Sequence, residues 1–201
     1  MEIYLIRHTT PAVEKGICYG QSDLDVVASF AEEAQAISHF IPADIQKVYA
    51  SPLKRCSLLA EFLFEGKPIH FHNELKEIHC GDWELQHWDA IPKEALDPFM
   101  NNFVEVPMPG GESYLHLFAR VNNIFNEIQA QKQKIAVVSH GGVIRSILSA
   151  ITQTPLKDSF NAFQLYYGCV VRLIPQQNGS FAYEVLHNVK PQQAEQHKPS
   201  K

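Results

Sequence analysis

Two histidines in this chain stand where apolar runs stop. Ile3-Tyr4-Leu5-Ile6 is followed at once by Arg7 and His8, and Ile135-Ala136-Val137-Val138 by Ser139 and His140. Short continuous apolar runs read as strands buried on both faces. Each imidazole therefore occupies the same slot, just past the carboxyl end of a buried strand. Neighbouring strands would turn both rings into one site. Arg7 cannot lose its proton and sits beside His8, which suits it to clamp an anion. Arg55 falls in the first turns of a helix that follows a second strand, Lys47-Val48-Tyr49-Ala50. A helix N-terminus already favours anions through its free N–H groups and its dipole, and a guanidinium there strengthens the effect. Gly141-Gly142, straight after His140, lets backbone N–H groups come close to an oxyanion. Arg145 lies on that same helix, where an ion pair or a helix-end contact accounts for it.

Phosphoryl transfer needs this inventory: a nucleophile, and positive groups around three equatorial oxygens. Histidine can be the nucleophile. An alkoxide leaving group also needs a proton. Glu77, Asp82 and Glu84, in Leu75-Lys76-Glu77-Ile78-His79-Cys80-Gly81-Asp82-Trp83-Glu84, are the candidates, and spacing alone does not rank them.

The elements that must position these groups can be read in outline. Strands are expected at residues 2–6, 47–50, 68–71, 135–138, 170–174 and 181–186, the last two antiparallel across Asn178-Gly179. Helices are expected over 28–41, from Ser51-Pro52 with Ser51 as N-cap, over 113–131 and over 143–151. Residues 9–27, with Pro11, Gly16 and Gly20, read as a long loop. Residues 73–111 carry Trp83, Trp88 and several prolines, and read as a partly helical insert over one end of the domain. The fold expected is α/β, a three-layer α/β/α arrangement. It has a mainly parallel central sheet, an antiparallel edge and the small insert over the site. In such sheets ligands bind beyond the carboxyl ends of strands, where strand order reverses. One domain over 1–189 and a disordered, polar tail over 190–201 complete the reading.

Composition narrows the partners. The 201 residues carry a net charge of −5, which argues against nucleic acid or an anionic membrane as partner. A small anionic substrate is still compatible, because it feels only the local field of its pocket. Five of the basic residues are arginines: Arg7, Arg55, Arg120, Arg145 and Arg172. Cys18, Cys56, Cys80 and Cys169 form no C-x-x-C pair, which fits a reducing cytosol, and no signal peptide or membrane span is expected. The ten histidines, with His79 and His87 near the expected mouth, lack an H-x-x-x-H spacing for zinc.

Five stretches together resemble the successive motifs of the histidine phosphatase superfamily, the phosphoglycerate-mutase-like group. They are Leu5-Ile6-Arg7-His8, Tyr49-Ala50-Ser51-Pro52-Leu53-Lys54-Arg55, the Leu75–Glu84 stretch, Pro109-Gly110-Gly111-Glu112-Ser113, and Val138-Ser139-His140-Gly141-Gly142. They occur in that group's order. The resemblance implies that His8 is the nucleophile that becomes phosphohistidine, and that Arg7, Arg55 and His140 bind the phosphoryl group. Glu77 would be the proton donor and then the base for water. Thr9, Tyr19, Gln21 and Gly141 would line the substrate side. No metal or other cofactor is implied, and a homodimer is compatible. Thr9 departs from the group's usual glycine; its side chain would crowd the phosphate or hydrogen-bond it. The Lys15–Asp23 loop and Gly81-Asp82-Trp83-Glu84 are most similar to α-ribazole phosphatases of cobalamin synthesis. The implied substrate is then α-ribazole 5′-phosphate, with Tyr19, Trp83 and Trp88 either stacking on a flat base or packing the insert. The alternatives are a broad-specificity phosphatase or phosphoglycerate mutase of the same group, a metal hydrolase, and an inactive phosphate-binding module.

Overall fold

A computed structural model describes residues 1–191 and 199–200. Most of the tail expected over 190–201 lies outside the described residues. Six strands form one sheet: β1 (Ile3–Arg7), β2 (Lys47–Ala50), β3 (Ile69–Phe71), β4 (Ile135–Ser139), β5 (Val170–Pro175) and β6 (Phe181–His187). Their order is β3-β2-β4-β1-β5-β6. The first four run parallel, β5 joins β1 antiparallel, and β6 joins β5 antiparallel at the edge.

Strand alternation divides the core into two layers. Ile3, Leu5, Ile135, Val137, Val171 and Leu173 share one face with α4 (Tyr114–Ala130) and α5 (Gly141–Thr152). Tyr4, Ile6, Val48, Ala50, Ala136, Val138 and Val170 share the other with α1 (Phe30–Ser38) and α2 (Lys54–Leu63). Each fully buried aliphatic chain contributes on the order of 1.5–3 kcal/mol, so both faces are strongly held. The α/β/α expectation is met.

The connections create the crevice. β1 and β4 are adjacent, yet the helices that follow them, α1 and α5, lie on opposite faces. Chain leaving the two strands must part, and a hollow opens beyond their carboxyl ends. The register pairs Arg7 with Ser139, which sets His8 and His140 side by side at its floor.

Helix starts differ from expectation at two places. α2 begins at Lys54 with Leu53 as N-cap, so Ser51 is not the cap and Pro52 is not the first helical residue. The Ser51 hydroxyl is used otherwise: it accepts from Leu53 N at 3.3 Å and meets His140 Nε2 at 2.8 Å. α5 begins at Gly141 rather than Val143. The Ser113 cap of α4 is well formed: its hydroxyl accepts from His116 N, and His116 Nδ1 accepts from Ser113 N.

The insert carries its own small core. Trp83, Trp88, Ile91, Leu96, Phe99 and Met108 pack with Cys80 and with Cys18 from the long loop; α3 (Lys93–Asn101) supplies two of them. Trp83 and Trp88 are therefore packing residues and do not present faces to a ligand. An insert remote from the sheet must bury its own apolar surface to hold a shape. Among the described residues no helix is long and apolar enough to cross a membrane.

Candidate active site

The two imidazole centroids are 5.1 Å apart, edge to face. His8 Nδ1 lies 2.7 Å from the carbonyl of Thr9. A carbonyl only accepts, so Nδ1 carries the proton and Nε2 keeps its lone pair. His140 is fully buried. Ser51 Oγ accepts the Leu53 amide and lies 2.8 Å from His140 Nε2, with which it can exchange a hydrogen bond in either direction. As a neutral imidazole His140 carries one ring N–H. Burial first, then the charges of Arg55, His8 and Arg7, push its pKa well below the usual 6.5.

That shift has a consequence for stability. Below pH 6.5 the unfolded chain protonates this imidazole and the folded chain does not. Stability from this group is thus full above the unfolded pKa and is lost as pH falls below it. The slope is at most about 1.4 kcal/mol per pH unit for one proton. Urea midpoints measured from pH 7.5 down to 5 will therefore fall less steeply in His140→Gln than in the native chain; parallel curves would assign the slope to other groups.

Three guanidiniums surround the histidines. Arg7 Nη1 donates to the Leu165 carbonyl at 2.5 Å, and its Cζ lies 4.1 Å above the Tyr167 ring. Arg55 is fully buried and donates to the carbonyls of Gly20 (2.6 Å) and Ser22 (2.9 Å). Its Nε has no hydrogen-bond partner among the described residues. Arg145 was expected to find an ion pair or a helix end. It finds the second: Nε donates at 3.0 Å to the carbonyl of Phe163, the C-cap residue of the short helix Ser159–Ala162, and the guanidinium lies over the Phe160 ring. A Cβ on Gly141 would sit 3.0 Å from Arg145 Nη1 and 3.4 Å from Arg7 Nε, so this glycine lets the two approach.

The three candidate acids separate by environment. Glu77 reaches the start of α5: Oε2 accepts from Gly142 N at 3.0 Å and Oε1 from Ile78 N at 2.9 Å. A Cβ on Gly142 would fall 2.2 Å from Glu77 Oε1, so a side chain there must displace the carboxylate. Burial alone would raise the Glu84 pKa, but donors from Ser22 Oγ and the amides of Gly20, Gln21 and Cys80 hold it below the usual range. Glu84 is a staple for the long loop, with every oxygen engaged. Asp82 is exposed on the insert, beside the Gly110 turn. The Glu77 segment is clamped from behind. Arg120 donates to the carbonyls of Glu74, Lys76 and Glu77 while paired with Glu112, and Gln21 Nε2 donates to the Glu77 carbonyl.

Thr9 is fully buried, and its hydroxyl has no hydrogen-bond partner among the described residues. Tyr19 meets Tyr167 hydroxyl to hydroxyl at 2.6 Å and lies 5.4 Å from Arg55 Cζ. The predicted residues His8, His140, Arg7, Arg55, Glu77, Thr9, Tyr19, Gln21 and Gly141 thus gather around one end of the β1–β4 pair. Tyr167 is the residue that sequence reasoning missed; its ring lies 5.4 Å from that of His8. A signal existed. An antiparallel strand beside β1 starts at the rim where β1 ends, so the residues just before β5 must border the site. Among the described residues no three His, Cys, Asp or Glu side chains converge to hold a metal.

Comparison with known proteins follows the same lines. The profile of the histidine phosphatase superfamily (branch 1) matches residues 3–188. Phosphoglycerate mutase-like protein 4 of Arabidopsis thaliana is 31% identical over 186 residues, covering 83% of this chain and 80% of its own. The adenosylcobalamin/alpha-ribazole phosphatase of Escherichia coli (strain K12) is 26% identical over 180 residues, covering 84% and 87%. The crystal structure of the alpha-ribazole phosphatase from Shigella flexneri superposes with a TM-score of 0.81 at 24% identity, over 92% of this chain and 96% of that one.

Proposed function

This chain belongs to the histidine phosphatase superfamily, branch 1, and on that premise we propose that it is a phosphomonoesterase working through a phosphohistidine at His8. The observation that carries the reading is the His8 ring. Its Nδ1 lies 2.7 Å from the Thr9 carbonyl, which assigns the proton to Nδ1 and makes Nε2 the attacking nitrogen, in a hollow shared with His140 and the guanidiniums.

In the first step Nε2 of His8 attacks phosphorus, and the bond from phosphorus to the ester oxygen breaks. Protonated Glu77 gives its proton to the leaving alkoxide. In the second step the Glu77 carboxylate takes a proton from water, whose oxygen displaces His8 and releases phosphate. Glu77 ends protonated and His8 free, as both began. Arg7 and Arg55 supply charge around the transferring group, while neutral His140 and the first amide of α5, at Gly141, supply N–H donors.

The finer substrate expectation, α-ribazole 5′-phosphate, has the names of relatives in its favour. It loses two of its three stacking rings to the insert core, which leaves Tyr19, with Tyr167 beside it. The test is direct. The native chain is expected to hydrolyse 4-nitrophenyl phosphate at an undiminished rate in excess chelator, and to turn over at least one of α-ribazole 5′-phosphate, 3-phosphoglycerate and a phosphopeptide. No turnover of any ester would make it a phosphate-binding module; loss in chelator with rescue by zinc would make it a metal hydrolase.

A further inference from the structure

The two guanidiniums assigned above to the phosphoryl group are held in the same way. Arg7 lies against the Tyr167 ring, with Cζ 4.1 Å from its centroid, and donates to the carbonyl of Leu165 in the same segment. Arg55 lies against the Tyr19 ring, with Cζ 5.4 Å from its centroid, and donates to the carbonyls of Gly20 and Ser22 just after it. Each cation thus rests on one tyrosine ring and on carbonyls of that tyrosine's own segment. The two supports then meet. The hydroxyls of Tyr19 and Tyr167 are 2.6 Å apart, a well-formed O–H···O bond between residues 148 positions apart in the chain.

Tyr167 does more than support Arg7. Its ring also lies 5.4 Å from that of His8, tilted by 39°. Its segment is fastened to the end of β1 by backbone bonds: Gly168 N donates to the His8 carbonyl and Arg7 N to the Cys169 carbonyl, both at 3.0 Å. The ring therefore stands on a rigid base and touches cation and nucleophile together. A guanidinium held by the Leu165 carbonyl alone could still swing about that bond, and an aromatic face beneath it removes the freedom. Phosphoryl transfer to His8 needs phosphorus in line with Nε2 while cations grip its oxygens, so the relation of Arg7 to His8 is the one that matters. Packing alone would be served by phenylalanine. The hydroxyl is the difference, and it engages Tyr19.

We propose that Tyr167 is a positioning residue for phosphoryl transfer: its ring sets Arg7 against His8, and its hydroxyl bond to Tyr19 ties that half of the phosphate clamp to the Arg55 half. The proposal rests on the phosphatase reading and deepens it. The long loop and the turn before β5 are locked at one spacing by the bond, so the gap between the two guanidiniums is set before a phosphate arrives. Charge arranged in advance needs no rearrangement at the moment of reaction, and fixing this gap is therefore felt in rate as well as in affinity.

Inorganic phosphate, titrated by calorimetry, reads the clamp without turnover. Rapid quench with saturating 4-nitrophenyl phosphate reads the rate of phosphohistidine formation. Tyr167→Leu is expected to weaken phosphate binding about tenfold and to slow phosphorylation by about tenfold or more, because Arg7 and His8 both lose their support. Tyr167→Phe keeps the ring and should restore most of the phosphorylation rate. It should leave a loss of about threefold in phosphate affinity, the scale of one neutral hydrogen bond. Tyr19→Phe should show the same threefold loss, and the double variant no more than either single one, because all three remove one shared bond. Native affinity and rate in Tyr167→Leu, no loss in the Phe variants, or a double loss equal to the product of the single ones would each overturn the proposal. So would tighter phosphate binding in the Phe variants, which would make the bond a bar that phosphate must break. The Phe variants conserve volume, so their cycle decides the matter where Tyr167→Leu fails to fold. Failure of the phosphatase reading has a different signature: the native chain then hydrolyses no ester, while phosphate affinity still follows the cycle.

Discussion

His8→Ala will leave no measurable phosphoenzyme and will lower the turnover of 4-nitrophenyl phosphate by about 10³-fold or more, the scale on which removed covalent nucleophiles are felt. The size follows from what remains. The imidazole of His140 is in ring contact with His8, at 5.1 Å between centroids. It cannot take over. Its Nε2 is held by Ser51 Oγ and flanked by Cys56 Sγ at 3.4 Å, and its ring is fully buried. Burial pushes the Cys56 thiol up to about 12, so that sulfur is not a substitute nucleophile either. The measurement is a rapid quench with labelled ester, followed by a search for an acid-labile, base-stable adduct. The adduct is expected in the native chain at position 8 and absent from the variant. Label recovered at His140, or turnover by the variant within about tenfold of native, would remove His8 from its role.

The parts of this site legible in the sequence are those that sit next to strong local patterns. His8 and His140 follow buried runs, and the pairing of β1 with β4 needed only the rule that ligands gather where helices part to opposite faces. Spacing alone showed Glu77 only as one of three acids, and the family resemblance singled it out, because what separates it from Glu84 is a set of contacts over long sequence distance. Gly142 N comes to Glu77, while the 20–22 amides go to Glu84. Trp83 and Trp88 were ambiguous for a similar reason: aromatic residues in a loop-rich insert serve a core or a ligand equally well by composition. Ser51 before proline looked like a helix cap, and its bond to His140 spans 89 positions. Arg145 carried a usable sign that composition conceals. Its helical neighbours at three and four positions are Gly141, Gly142, Leu148 and Ser149, none of them acidic, so no local ion pair was available to it. Tyr167 follows a segment with no periodicity, and only the direction of β5 places it.

Glu77→Gln will separate the two chemical steps. With an alkyl phosphate the leaving oxygen needs a proton in the first step, and kcat/KM should fall by about 10²–10⁴, the worth of general acid catalysis. With 4-nitrophenyl phosphate the leaving group departs as a stable anion, so the first step proceeds and the second, which needs Glu77 as base, becomes limiting. A burst of about one nitrophenolate per chain should then precede slow turnover, with phosphohistidine accumulating behind it. Gly142→Ala offers an independent approach to the same atom. The added Cβ would lie 2.2 Å from Glu77 Oε1 and must displace the carboxylate from the α5 amide. It should reproduce the leaving-group bias of Glu77→Gln while leaving His8 and both guanidinium clamps in place. Native and variant rates plotted against leaving-group pKa give the decisive comparison. The variant lines should steepen, because departure without a donor depends on the alkoxide's own stability. Lines that stay parallel, with good and poor leaving groups losing equally and no burst, would move the acid away from Glu77. Asp82 would then be the remaining candidate, since Glu84 is held ionised by the donors that staple the loop.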